Sequence, residues 1–204
     1  MDRTQHWNTV YTGKDEGQAS WFEASSEPSL RLLAAAGLGV ETSLVDIGGG
    51  DARLVDALLA RGLRHLAVLD LSGAALRRAQ ARLGSAAEAV TWVESDVTGA
   101  WSLPPVDIWH DRAVFHFLTA PEDRAAYRAH LLATLKPGGA AVIATFALGG
   151  PERCSGLPVA RYSPATLATE LGPGFRLVES LAHLHHTPTG AAQALQYSRF
   201  LRLG

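Results

Sequence analysis

An apolar run that ends in three glycines constrains this chain more than any other feature. Leu44-Val45-Asp46-Ile47 carries one carboxylate among aliphatic side chains, Gly48-Gly49-Gly50 follows at once, and Leu54, Val55, Leu58 and Leu59 recur at helical spacing up to Gly62. That order reads as strand, tight turn, helix. The unit recurs: residues 66–69 form an apolar run ending at Asp70, and Ser72 is placed to cap a helix through Leu76, Ala79 and Leu83 to Gly84. Further strands are expected over 90–93, 106–109 and 140–147, the last entered through Lys136-Pro137-Gly138-Gly139. A helix is expected over 120–135, with Thr119-Ala120-Pro121-Glu122 as a capping box at its start. Shorter helices are read near 29–36 and 164–170. Strands that are apolar throughout and alternate with helices predict an α/β fold, a parallel sheet covered on both faces with ligands beyond the carboxyl ends of its strands. The runs 175–184 and 193–203 flank His186-Thr187-Pro188-Thr189-Gly190 and predict a C-terminal antiparallel hairpin.

Composition narrows the partners. With 204 residues, 47% of them apolar, the chain is expected to form one domain with a sizeable core. Its formal charge of -2, without long runs of one sign, gives no electrostatic reason for nucleic acid or an anionic membrane as partner. Cys154 stands alone, so no intramolecular disulfide or multi-thiolate metal cage is possible, and a reducing, cytoplasmic location is the expectation. The first residues are polar where a signal peptide is apolar, and the longest uncharged apolar segment, 140–148, is too short to span a bilayer.

The glycine turn selects a cofactor. Gly48-x-Gly50 after a strand, with Asp70 ending the next strand, is a general nucleoside-binding signature. A dinucleotide fingerprint needs a third glycine three residues after the second, and Arg53 stands there. Asp46 and Asp51 would also repel a pyrophosphate, which argues against a nicotinamide-dependent dehydrogenase. The same carboxylates attract a ligand that carries an ammonium and a sulfonium beside a nucleoside, and S-adenosylmethionine (SAM) is such a ligand. On this reading Gly48 and Gly50 admit the methionine part, Asp70 accepts from both ribose hydroxyls, Leu71 covers the adenine face, and Asp96 and the Val97 amide meet its edge. For Asp96 a plain turn-forming role is equally open.

These segments resemble the class I SAM-dependent methyltransferases over nearly the whole chain. The resemblance lies in Val45-Asp46-Ile47-Gly48-Gly49-Gly50-Asp51-Ala52, Leu69-Asp70, Ser95-Asp96-Val97, the stretch from Val106-Asp107 to Asp111-Arg112, and Leu135-Lys136-Pro137-Gly138-Gly139. It implies a Rossmann-like, seven-stranded, mostly parallel sheet whose last strand is antiparallel. Ala52 departs from many relatives, which carry another glycine there. His6-Trp7-x-x-x-Tyr11 with Ser20-Trp21-Phe22 is similar to the methyltransferase-like branch, which includes protein-lysine methyltransferases and small bacterial members. The chain then divides into an N-terminal lid segment (1–42), a SAM-binding core (43–148) and an acceptor-side loop with the terminal hairpin (149–204).

Methyl transfer from a sulfonium is an in-line displacement, so the protein has mainly to hold the nucleophile and exclude water. Asp111 is expected to bind the SAM ammonium, and His110 or His116 to take a proton from the acceptor. For each histidine a packed core role stays open. Tyr11 and Trp21, with Trp7 and Phe22, are read as an aromatic lid. Phe115, Cys154, Arg161 and Tyr162 are read as acceptor contacts. His183 and His185 share a strand face, but no third ligand is evident nearby and no metal site is expected. The acceptor is expected to be a small molecule with a nitrogen, oxygen or sulfur nucleophile. A protein lysine, or SAM binding without catalysis, are the alternatives.

Overall fold

The computed structural model describes residues 2–13 and 16–204, with Glu16 described in its backbone alone. Helix α1 (Arg3–Thr12) comes first, capped by the Asp2 carboxylate, which accepts from the Thr4 amide, and α2 (Glu27–Ala35) follows. The alternating core then runs β1 (Ser43–Ile47), α3 (Leu54–Ala60), β2 (His65–Asp70), α4 (Gly73–Leu83), β3 (Val90–Glu94), β4 (Val106–Arg112), α5 (Pro121–Thr134) and β5 (Leu135–Phe146). A two-stranded ribbon of β6 (Arg153–Cys154) and β7 (Leu157–Pro158), helix α6 (Pro164–Leu171) and the long pair β8 (Phe175–His186) and β9 (Ala192–Arg202) complete it. Ser72 caps α4 as its sequence predicts, accepting from the Ala75 amide.

The seven-stranded sheet has the order β3-β2-β1-β4-β5-β9-β8, and β9 alone runs antiparallel to both of its neighbours. β1 feeds outward to β2 on one side and pairs with β4 on the other, so the strand order reverses between β1 and β4. An open α/β sheet forms its ligand crevice at such a switch point. Successive residues of a buried strand serve opposite faces. Leu44 packs with Leu32, Leu33 and Leu58 on the face that α2 and α3 cover, while Val45 and Ile47 pack with Tyr127, Leu131 and Leu167 under α5 and α6. The same alternation sorts the polar residues of β1 and β4.

Two local expectations are corrected. Thr119 does not cap α5; Ala120 does, without a side-chain bond. Pro121 disfavours the helical region for the residue before it, and Ala120 is extended at φ -84° and ψ 138°, so the helix starts one residue later than the capping-box reading. The capping box that does form is Ser163 with Thr166 at α6. The strand β5 begins at Leu135, earlier than the glycine turn had implied, with a break in its register against β4 between Val106 and Ile108.

Candidate functional site

A cleft opens at the carboxyl ends of β1, β2 and β4. Its empty space, the open mouth included, is about 1270 Å3. The floor is the turn after β1. Gly48 has φ +64° and Gly50 φ +46°, the left-handed region that only glycine enters at little cost. Their need for glycine is also internal: a Cβ on Gly48 would sit 2.0 Å from Val114 Cγ2, and one on Gly50 would sit 2.7 Å from the Tyr11 hydroxyl and 3.0 Å from Asp70 Oδ2.

Asp70 lines the cleft at the end of β2 and is 4% exposed. One oxygen accepts from the Ser72 amide at 2.8 Å, and the Gly50 amide also donates to the carboxylate. Burial raises its pKa to about 7, those two amides oppose the shift, and the nearby charges of Asp51 and Asp46 add to it. A buried carboxylate with spare lone pairs and no cation among these partners suits hydroxyl donors such as a ribose diol. Leu71, Val97 and Asp96 line the same end. Asp96 Oδ1 accepts from the Thr98 amide and hydroxyl at 2.8 and 2.7 Å, the turn-forming role, while Oδ2 lies 3.4 Å from Arg3 of α1. Asp51, buried in the same wall, pairs with Arg78 at 3.0 Å.

Strand alternation decides what β4 contributes. His110 stands opposite Asp46 in register, and both side chains fall on the α2 face, where the helix brings Ser29. Asp46 Oδ1 lies 2.6 Å from His110 Nδ1, and Ser29 Oγ lies 2.8 Å from His110 Nε2. A carboxylate only accepts, so Nδ1 carries the proton and Nε2 accepts from the serine. All three line the cleft. Arg112, two residues on, lines it as well; it donates to the Trp21 carbonyl at 3.0 Å and to the Tyr197 hydroxyl at 3.1 Å, and lies 2.8 Å from Glu23 Oε1.

Asp111 points the other way. It is fully buried, accepts from the Val114 and Phe115 amides and from the Tyr127 hydroxyl at 2.7 Å, and does not line the cleft. Burial lifts its pKa to about 6 against those donors. The expectation that it binds a cofactor ammonium is therefore corrected: its oxygens are held by the Val114 and Phe115 amides and the Tyr127 hydroxyl, outside the cleft lining.

His116 is corrected too. It lies in a 3-10 turn at Phe115–Phe117, is fully buried, and does not line the cleft. Its Nδ1 accepts from the Phe146 amide at 3.2 Å. Burial, and then the charge of Arg112, lower its pKa to about 3, so it is a neutral core residue between the rings of Phe117 and Phe146. Its Nε2 hydrogen finds no hydrogen-bond acceptor among the described residues.

Of the expected acceptor contacts, Cys154 lines the cleft. Phe115 and Tyr162 pack instead with each other in the core beneath α5 and α6. Arg161 pairs with Glu152 and the Gly150 carbonyl, away from the cleft. Trp7, Tyr11, Trp21 and Phe22 do line it. Trp21 stands edge-on to Trp7 at 5.7 Å and to Tyr11 at 5.5 Å, and Trp7 meets Phe117 at 5.1 Å. Arg78 of α4 donates to the Tyr11 carbonyl, which fastens α1 over the turn. Sequence reasoning missed Ser29, Glu23, Arg112 and Phe117. Arg112 had a signal, since it lies one strand repeat from His110; Ser29 had none. Glu23 had none.

Glu23 supplies a third potential ligand beside the hairpin histidines. Its Oε1 lies 3.5 Å from His183 Nε2 and 3.3 Å from His185 Nδ1. Among the described residues these form a group of three potential metal ligands, which sequence spacing had not supplied. Also among the described residues, no helix is long and apolar enough to cross a membrane.

Comparisons with known proteins agree with this geometry. No curated protein matches the chain by sequence. Solved structures show the fold. The 1,6-didemethyltoxoflavin-N1-methyltransferase of Burkholderia thailandensis, solved with 1,6-didemethyltoxoflavin and S-adenosylhomocysteine, superposes with a TM-score of 0.76 at 22% identity over 99% of this chain and 87% of its own. The N-methyltransferase NodS of Bradyrhizobium japonicum WM9, in complex with S-adenosylhomocysteine, gives 0.76 at 19% identity over 98% and 99%. A SAM-dependent methyltransferase from Anabaena variabilis gives 0.76 at 14% over 99% and 96%. Residues 45–141 match the family model described as a methyltransferase domain, Methyltransf_12, and the chain shares the fold of these solved methyltransferases.

Proposed function

We propose that the protein transfers the methyl group of SAM to a nitrogen, oxygen or sulfur nucleophile of a small-molecule acceptor, with residues 1–204 acting as one unit. The observation that carries this reading is the division of the cleft. One end holds the glycine turn and the buried Asp70, and the other is walled by Trp7, Trp21 and Phe117 under α1. Bound SAM supplies an activated methyl on a sulfonium. Asp70 would accept from the ribose hydroxyls, Leu71 and Val97 would flank the adenine, and Asp46 Oδ2, beside Gly49, offers a carboxylate oxygen to the ammonium.

The acceptor end supports a flat, compact substrate. Aromatic edges give a large contact area at small entropic cost and exclude water, which is what an in-line displacement needs. The roof of α1 disfavours a lysine with its flanking peptide. Where the nucleophile carries a proton, Ser29 can receive it and pass its own to His110 Nε2, leaving an imidazolium that Asp46 stabilises at 2.6 Å. One of these relatives is named for methylation at N1 of the small molecule 1,6-didemethyltoxoflavin, and that lends the same class to this chain.

Calorimetric titration with SAM, with NAD as the control ligand, tests the cofactor. Saturable binding of SAM alone is expected, and NAD binding without SAM would overturn the reading of Asp46, Asp51 and Asp70. An acceptor screen that follows release of S-adenosylhomocysteine then tests catalysis. Turnover with lysine-containing peptides and no small molecule would replace the acceptor class, and binding of SAM without any turnover would leave a non-catalytic SAM-binding protein.

A further inference from the structure

Beside the cleft, and sharing Phe22 and Glu23 with it, lies a second hollow lined by His183, His185 and His186 of β8. His183 and His185 are two residues apart on one strand, so both rings leave the same face and meet the segment that precedes α2. Glu23 lies on that segment. His183 Nε2, His185 Nδ1 and Glu23 Oε1 converge, the two nitrogens at 3.5 and 3.3 Å from the one oxygen. A tetrahedral zinc site with bonds of about 2.0–2.1 Å holds its ligand atoms roughly 3.3 Å apart. Two of the three spacings here match such a site, and all three atoms lie within 4.8 Å of one another.

The proton inventory points the same way. His185 Nε2 lies 2.7 Å from the Ser20 carbonyl, which can only accept, so Nε2 carries the hydrogen. Nδ1 then faces the Glu23 carboxylate at 3.3 Å. A metal-ligating histidine characteristically holds its far nitrogen on a backbone carbonyl in this way. Glu23 Oε1 is buried, and Arg112 Nη2 lies 2.8 Å from it. Arg112 is the natural outer partner of a ligating carboxylate, whose several lone pairs serve both, but its charge also opposes a cation and limits affinity.

We propose that Glu23, His183 and His185 form a binding site for one zinc-class divalent ion, two imidazoles and one carboxylate leaving at least one position open toward the second hollow. Such an ion ties the segment carrying Trp21 and Phe22 to β8, and so fixes the aromatic wall of the cleft from outside it. Magnesium and calcium are poor fits, because they take oxygen ligands and this set has two nitrogens.

The test uses the full chain, stripped with a chelator and titrated with zinc chloride, with magnesium chloride as control. One equivalent of zinc should bind, at micromolar affinity or tighter, with no magnesium signal. His183 keeps 32% of its side chain exposed, so His183→Ala should fold and weaken zinc binding at least tenfold. His65→Ala, on β2 and outside both linings, should bind as the wild type does. Cobalt(II) in place of zinc should give the visible absorption of a four-coordinate site, lost in His183→Ala. No stoichiometric zinc binding, or binding that His183→Ala and His185→Ala leave unchanged, overturns the proposal. These readouts do not depend on SAM or on turnover.

Discussion

Replacing Asp70 by Asn should make the ligand-free protein more stable at alkaline pH while it loses SAM. In the folded chain this carboxyl titrates at about 7, against an ordinary 3.8, because burial outweighs the Ser72 and Gly50 amides and Asp51 and Asp46 add like charge. The folded state therefore holds the proton more tightly than the unfolded chain. Stability from this group is fully present below pH 3.8 and is lost as pH rises through 7. At ~1.4 kcal/mol for each tenfold change in proton affinity, the Asp70 carboxyl costs the empty fold about 4 kcal/mol at pH 8, where it is ionised, and about 2 kcal/mol at pH 5, where folding takes up its proton. Asparagine keeps an acceptor for the Ser72 amide and carries no charge at either pH. Whatever its packing costs, its stability relative to wild type should rise by about 2–3 kcal/mol between pH 5 and pH 8. Urea unfolding of both proteins without ligand at the two pH values measures that difference. In thermal melts it corresponds to roughly 5–10 °C for a chain of this size. Calorimetry at pH 8 should show SAM affinity reduced at least a hundredfold in the variant. An equal gap between the two proteins at pH 5 and pH 8 would mean that Asp70 is ionised throughout, and the account of its burial would fail.

Further outcomes follow from other residues. SAM affinity of the wild type should fall as pH drops through 7, by up to about thirtyfold at pH 5.5 if only the carboxylate form of Asp70 binds, as calorimetry across pH would read. His116, held neutral with a pKa near 3 against an ordinary 6.5, binds fewer protons folded than unfolded between those values; the stability it contributes falls by about 2 kcal/mol from pH 8 to pH 5, a slope that His116→Phe should remove without changing SAM affinity. Gly48→Ala combines a positive φ with a 2.0 Å clash on Val114 and should cost about 3 kcal/mol or more in urea unfolding, part of it recovered by Val114→Ala in a double-mutant cycle. His110→Gln should leave SAM affinity within a few fold while slowing turnover about 10²–10⁴-fold with a protonated acceptor; unchanged turnover would assign His110 to structure alone.

The strand-turn-helix unit at Asp46 to Leu59 was legible because every level agreed: apolar run, glycines at positive φ, then helical spacing. Ser72 as a cap and Asp70 at a strand end were legible for the same reason. Helix α1 was missed because its sequence is polar and lacks an apolar stripe; Asp2 as its cap was the only local sign. His110 and Asp111 were both read into the site although strand alternation sends them to opposite faces, and that information was present in the sequence. Phe115 and Tyr162 misled for a different reason. Residues in a loop on the ligand side can still turn inward, and an aromatic ring gains more from core burial than from a solvent-facing cleft. Glu23 with His183 and His185 lay beyond reach, since no short-range pattern brings together residues separated by most of the chain.

One buried polar chain joins the two ends of the cleft. Asp46 holds His110, His110 holds Ser29, Ser29 reaches the Tyr197 hydroxyl, Tyr197 accepts from Arg112, and Arg112 lies against Glu23. Its members come from β1, β4, α2, β9 and the segment before α2. Removing one member of a buried charged pair leaves the other without compensation, which costs more than the pair itself contributes. Glu23→Gln should therefore destabilise the fold by about 3 kcal/mol, because the Arg112 side chain, 15% exposed, keeps its charge in a site built around a carboxylate. Glu23→Gln combined with Arg112→Met should recover much of that loss in urea unfolding, since both charges leave together. Recovery without zinc binding would separate the two tasks of Glu23, one as the counter-ion of Arg112 and one as the third ligand beside His183 and His185; a double variant no more stable than Glu23→Gln alone would show that Arg112 supports the fold through its bonds to Trp21 and Tyr197 and not through this pair.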